Sequence, residues 1–203
     1  GRVKDTFKGN NKTKLGTWLE GFAVQEYEAF SGRKCRMVHR TLRHKKYDFI
    51  GGHIDRLVEG DPNRGVECKA VTSDGMGKWL DEDDNLIVPP YYISQVKHYA
   101  LVTGRMTWDF AVVFTDGRRD PFFKTFEFTK DDVDLYLDRC LKFWEHVQTE
   151  TPPDVDGSDA TSTTLKQEWR DSDPGQVKVA DDSVMTYLRE RAGKKEMKEV
   201  YHA

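Results

Sequence analysis

Cysteine is scarce in this chain. Its 203 residues hold three, namely Cys35, Cys68 and Cys140, far apart and without the close pairs that zinc or iron–sulfur ligation needs. The odd count argues against a disulfide framework, and a reducing, intracellular setting is the expectation. Long apolar runs are missing as well. No stretch approaches the length that crosses a bilayer, and no charged-then-apolar leader opens the chain, so neither membrane insertion nor secretion has support and a soluble, cytoplasmic protein is expected. Nor is there an excess of positive charge: 32 Lys and Arg stand against 35 Asp and Glu, a net charge of −3. Any role on nucleic acid must then come from local clustering of charge. Gly1 is not an initiator Met and the last residues still read as helix, so a trimmed portion of a longer protein is expected.

What is present fits one domain over 1–203, with a core over about 13–150 and a surface connector plus C-terminal helix over 151–203. Positive charge does cluster. From Arg33 through Lys34, Arg36, Arg40, Arg43 and Lys45 to Lys46 every charged residue is basic. That run reads either as an edge strand guarded by charge or as a surface that tracks a phosphate backbone.

Apolar residues at Leu15, Trp18, Leu19, Phe22, Ala23, Tyr27 and Phe30 recur at three and four, which predicts a helix with one buried stripe, ended by Ser31-Gly32. Short apolar and β-branched stretches around 35–41, 47–50, 53–58 and 65–72 predict an antiparallel meander. Residues 73–90 show no sustained periodicity and predict a long, mobile loop. A helix over about 91–103 closed by Gly104, strands at 107–115 and 122–128 around an Asp116-Gly117 turn, and a helix over about 130–148 follow. The last of these carries the stripe Val133, Leu135, Tyr136, Leu137, Leu141, Phe143 and Trp144. A polar connector begins after Thr151, and a final helix is expected over about 182–201. Strands hemmed by helices from both ends of the chain predict a mixed α/β domain, a central sheet flanked by helices.

The segment Arg64-Gly65-Val66-Glu67-Cys68-Lys69-Ala70-Val71 is the most informative. Strand alternation puts Val66, Cys68 and Ala70 on one face and Glu67 and Lys69 on the other, so the apolar face turns inward and the charges converge. An isolated Glu-x-Lys triplet is ordinarily a surface ion pair. Here, however, Asp55 lies on the preceding strand pattern, joined by a turn through Gly60, Asp61, Pro62 and Asn63. A hairpin of this kind sets Asp55 beside Glu67. Two carboxylates with the Cys68 backbone carbonyl make a hard oxygen site suited to Mg²⁺ or Mn²⁺, and Lys69 can steady an attacking water or developing charge. Glu20, at the margin of the first helix's stripe, can point inward to help bind a second cation or outward to solvent. On the helix after the long loop, Tyr92, Gln95 and Tyr99 share a face. Gln95 can orient water or a phosphate, and the two tyrosines read either as DNA contacts or as buried rings.

These blocks resemble the lambda-type phage exonucleases, or YqaJ-like viral recombinases, within the PD-(D/E)xK nuclease superfamily. The resemblance rests on Gly16 to Glu20 with Ala23, Tyr27, Glu28 and Ser31-Gly32; on Asp55 followed by Glu67-Cys68-Lys69; on Tyr92, Gln95 and Val102-Thr103-Gly104; and on the connector Pro152 to Ser158. It implies a restriction-endonuclease-like core in which Asp55, Glu67 and the Cys68 carbonyl hold Mg²⁺. Lys69 assists the hydrolytic water, and Glu20 and Gln95 are the auxiliary acid and glutamine. It implies 5′-to-3′ degradation of one strand from duplex DNA ends by a homotrimer, an annealing protein as partner, and the cytoplasm of a bacterial host if the chain is phage-encoded. Where family members often have Ser-Pro-Asp-Gly, this chain reads His53-Ile54-Asp55-Arg56, closer to RecB-like nuclease domains. A structure-dependent or RecB-like endonuclease and a non-catalytic nucleic-acid-binding module are the alternatives. Retention of Asp55, Glu67 and Lys69 speaks against the module, because a binder gains by losing carboxylates that repel phosphate.

Overall fold

The computed structural model describes residues 11–155, 158, 161–164 and 189. The chain forms two compact units, residues 1–141 and 142–203.

Helix α1 spans Asn11–Ser31, followed by strands β1 (Cys35–Met37), β2 (Leu42–Arg43), β3 (Gly51–Gly52), β4 (Arg56–Val58) and β5 (Arg64–Val71). A 3-10 helix at Ser73–Lys78 and helix α2 (Pro90–Thr103) lead to β6 (Thr107–Phe114), β7 (Phe122–Glu127) and α3 (Lys130–Thr149). The main sheet has the order β1-β4-β5-β6-β7 and is mixed: β5 and β6 are parallel and the other pairs antiparallel. The central sheet with flanking helices agrees with the fold class read from the sequence.

The expected early meander is divided. β2 and β3 leave the main sheet and pair with each other, and the stretch 47–50 is turn, not strand. His44 turns the chain there, its Nδ1 accepting from the backbone N–H groups of Lys46 and Tyr47. The parallel β5–β6 pair needs a crossover, which the 3-10 helix and α2 supply.

Both faces of the main sheet are covered. Val66 and Cys68 of β5 and Ala111 and Val113 of β6 pack with Ala23 and Tyr27 of α1. The opposite face carries Trp108, Phe110 and Val112 against Val96, Tyr99 and Ala100 of α2. Gly65 lies opposite Trp108 in the β5–β6 register, and a Cβ there would sit 2.5 Å from the indole, so the ring occupies the space a side chain would need. Gly104 ends α2 in the left-handed region at φ 72°, its N–H donating to the Ala100 carbonyl, which is the closure expected of glycine at that place.

Two helical stripes are narrower than the sequence suggests. In α1 the buried side is Ala23 and Tyr27 with Leu19 and Val24, while Leu15, Trp18, Phe22 and Phe30 are exposed. In α3 the buried side is Val133 with Tyr136, Leu137 and Cys140, and Leu135 and Phe143 face solvent.

Segment 73–90 is built, not loose. It contains the 3-10 turn, a bridge between Leu80 and Leu86, and the buried side chains Trp79 and Val88. Asp81 organises its tip by accepting from the backbone N–H groups of Asp83 and Asn85.

In the second unit, residues 161–164 are helical where a connector was expected. The Ser158 hydroxyl accepts from the Thr161 N–H at 3.2 Å, the contact of a serine cap at a helix start. The helix expected over 182–201 lies outside the described residues except for Arg189, which is helical.

Candidate active site

The site starts from β5. Because α2 covers the face that carries Glu67, this glutamate is not a surface residue: only 1% of it is exposed. Its Oε1 is paired with the Lys69 ammonium, while its Oε2 is buried without a hydrogen-bond partner among the described residues. Leaving a carboxylate oxygen dry and unpaired is costly. The physical result is a raised pKa: burial first, then the charge of Asp55, push Glu67 up to about 8 against the opposing pull of Lys69.

Asp55 occupies a bend that immediately precedes β4 instead of lying within the strand. The pairing of Arg56 with Val66 brings it beside Glu67 all the same. Its Oδ2 accepts from the Cys68 backbone N–H at 2.9 Å. The structure therefore joins Asp55, Glu67, Cys68 and Lys69 as the sequence pattern predicts.

Helix α2 forms the wall above them. The Tyr92 ring lies under the Lys69 ammonium at 4.5 Å. The Gln95 Nε2 donates to the Tyr99 hydroxyl at 2.7 Å, and that hydroxyl is pushed up by burial and by the Glu67 charge. Tyr99 is buried against Trp108, so it lines the wall.

Glu20 meets the site through an intermediary. It accepts from the Arg56 guanidinium at 2.6 Å, and the same Nη1 donates to the Asp55 carbonyl at 2.8 Å. Sequence reasoning noted Arg56 only as a departure from the family's glycine at that position. The local sequence carries no signal of its role, and the tertiary contact gives it one: the buried Arg56 ties α1 to the backbone that carries Asp55.

Asp109 was also missed. It is 3% exposed and lies across from Val66, on the face covered by α1. It accepts from Arg64 at 2.8 and 2.9 Å, from the Thr125 hydroxyl at 2.6 Å and from the Tyr27 hydroxyl. This fully paired carboxylate locks α1, β5, β6 and β7 together. The alternating pattern of β6 gave no hint of it, since its neighbours are almost all apolar.

The basic residues Arg33, Lys34, Arg36, Arg40, Arg43, Lys45 and Lys46 are all exposed. They run from the α1–β1 connection along the edge strand β1 to the β2–β3 hairpin, which packs against α2. Lys34 is drawn to Glu28 at 2.9 Å.

Among the described residues no three His, Cys, Asp or Glu side chains converge to hold a metal by themselves. The donors that do converge are nonetheless hard oxygens, and the Glu67 Oε2 beside Asp55, without a donor among the described residues, is of the kind that suits a divalent cation.

Comparison with known proteins gives this constellation its context. The family described as the YqaJ-like viral recombinase domain matches residues 1–106. The chain belongs to that family. It is 30% identical over 179 residues to YqaJ of Bacillus subtilis strain 168, described as an uncharacterized protein, in a match covering 85% of this chain and 53% of that one. The chain thus spans about half the length of that relative. Two crystal structures share the fold. LHK-Exo in complex with dAMP superposes with a TM-score of 0.59 at 21% identity, over 81% of this chain and 76% of that one. The alkaline exonuclease LHK-Exo from Laribacter hongkongensis gives 0.51 at 20% identity, over 70% and 75%. No described helix of this YqaJ-family chain is long and apolar enough to cross a membrane.

Proposed function

We propose that this YqaJ-family chain is a divalent-metal-dependent deoxyribonuclease that removes nucleotides from the ends of duplex DNA in the 5′-to-3′ direction. The observation that carries the reading is the buried Glu67 Oε2 beside Asp55, an oxygen with no hydrogen-bond donor among the described residues.

Asp55, Glu67 and the Cys68 carbonyl would hold Mg²⁺ or Mn²⁺, with Glu20 as an auxiliary acid acting through its link to Arg56. The ion, when bound, supplies Lewis-acid polarisation of the phosphate and a more acidic water. The chain's own groups do the remainder. Lys69 donates to charge developing at the scissile phosphate and orients the attacking water. Gln95, held by Tyr99, presents its carbonyl oxygen as an acceptor for that water. The packed walls of Trp79, Tyr92 and Tyr99 restrict bulk solvent, so these charges act at a lower effective dielectric. The exposed basic strip from Arg33 to Lys46 would contact the DNA through phosphates and without regard to sequence.

The test is incubation with linear duplex DNA labelled at either 5′ or 3′ ends, in Mg²⁺ and in EDTA, with covalently closed duplex as control. Early release of 5′ label from linear DNA in Mg²⁺, with closed circles intact, is the expected result. Cutting of closed circles would redirect the reading to an endonuclease, and no cleavage of either with Mg²⁺ or Mn²⁺ would reject it.

A further inference from the structure

We infer that Tyr92 is a positioning residue for Lys69, and that segment 73–90 exists to hold its ring in place. The inference rests on the nuclease reading and gives Tyr92 a different role from the DNA contact its sequence position suggests.

Lys69 is a flexible side chain at the end of a strand, and an amine that must meet one developing charge gains from having few places to go. Its ammonium is confined between the Glu67 carboxylate and the face of Tyr92, 4.5 Å from the ring centroid, and is 18% exposed. In such a partly desolvated setting the ring's negative face attracts the cation appreciably. Tyr92 is itself fixed. Its N–H donates to the Pro89 carbonyl at 2.9 Å, and Pro90 opens α2 with a backbone angle already suited to a helix. The ring packs on Trp79 at 5.4 Å between centroids. Trp79 is 3% exposed and is anchored by its N–H to the Met76 carbonyl and by its own carbonyl to the Ile87 N–H. The otherwise aperiodic segment therefore delivers one buried indole behind one tyrosine behind the candidate catalytic amine.

The test replaces Tyr92 with phenylalanine and then with phenylalanines bearing one, two and three ring fluorines, which keep the shape while progressively draining the ring's negative face. Steady-state hydrolysis of end-labelled duplex is measured for each. Tyr92→Phe should retain near-normal kcat, and kcat should fall stepwise with fluorination to a total of roughly 10- to 30-fold at nearly constant KM. Independently of activity, the ¹³C-labelled Lys69 ε-methylene should show an upfield ring-current shift in the unaltered and Tyr92→Phe chains that disappears in Tyr92→Leu. A flat fluorination series, or a rise in KM with kcat unchanged, overturns the positioning role alone and favours a DNA contact. Absence of hydrolysis by the unaltered chain overturns the nuclease reading, and this role with it, even where the ring-current shift is present.

Discussion

Asp55 Oδ2 takes the place of a strand partner for the backbone of Cys68, accepting its N–H at 2.9 Å at the point where the β4–β5 ladder stops. One acid thus completes the sheet and faces the candidate metal position. Asp55→Ala should orphan a part-buried backbone donor and destabilise the fold by about 1–3 kcal/mol. Asp55→Asn, which keeps an acceptor, should unfold close to the unaltered chain. Both should lower hydrolysis by at least about 1000-fold. Thermal unfolding paired with the cleavage assay reads both effects; cleavage surviving in either variant would remove Asp55 from the metal site.

Glu67 should make stability depend on pH. Its folded pKa is raised from the ordinary 4.5 to about 8, so the folded state holds a proton that the unfolded state releases. Stability from this group is complete below about pH 4.5 and is lost progressively as pH rises to about 8, by roughly 5 kcal/mol. Unfolding in EDTA between pH 5 and pH 9 should show this decline. Glu67→Gln should flatten it, and Mg²⁺ should restore stability to the unaltered chain chiefly at the alkaline end. An identical pH dependence in Glu67→Gln would show that another group controls it.

The Asp109 network should be structural. Removing its carboxylate leaves Arg64 with Asp61 and takes the acceptor from the buried Tyr27 hydroxyl, while the exposed Thr125 hydroxyl can turn to water. Asp109→Ala should therefore cost roughly 3–5 kcal/mol, the usual penalty for breaking a buried charge pair from one side. A chemical denaturation midpoint within error of the unaltered chain would contradict this.

The basic strip should act through phosphates. An Arg40→Ala, Arg43→Ala double variant should reduce the magnitude of the slope of log K against log salt by about 1–2, measured with a Glu67→Gln background to prevent cleavage. An unchanged slope would assign the strip to solvation of the edge strand. Arg43 also donates to the Asp48 carbonyl, so a circular dichroism check of the β2–β3 region belongs with the binding curves.

The helices and the long strands β5 to β7 were legible because period 3.6 and period 2 patterns are local properties of the chain, and so was the pairing of Asp55 with Glu67 across a short turn. The stripes of α1 and α3 were drawn too wide. Leu15, Trp18, Phe22, Leu135 and Phe143 satisfy a helical period, but which apolar residues are covered depends on the curvature and reach of the opposing sheet. The segment 73–90 was misread because Trp79 and Val88 are isolated apolar residues among charged ones, and an isolated indole shows no period. Arg56 and Asp109 were invisible for a related reason: a charge in an apolar strand acquires meaning only from a partner 36 residues away in Glu20, or 45 and 82 away in Arg64 and Tyr27.

The sequence alone determined which chemical groups stand next to one another along β5 and across its hairpin, since alternation and a tight turn leave little freedom. Tertiary structure decided that the charged face is also a covered face. Once α2 crosses over the sheet, Glu67 is removed from water and one of its oxygens is left without a donor among the described residues; that desolvation, absent from any local pattern, raises the pKa of what would otherwise be an ordinary acid–amine pair.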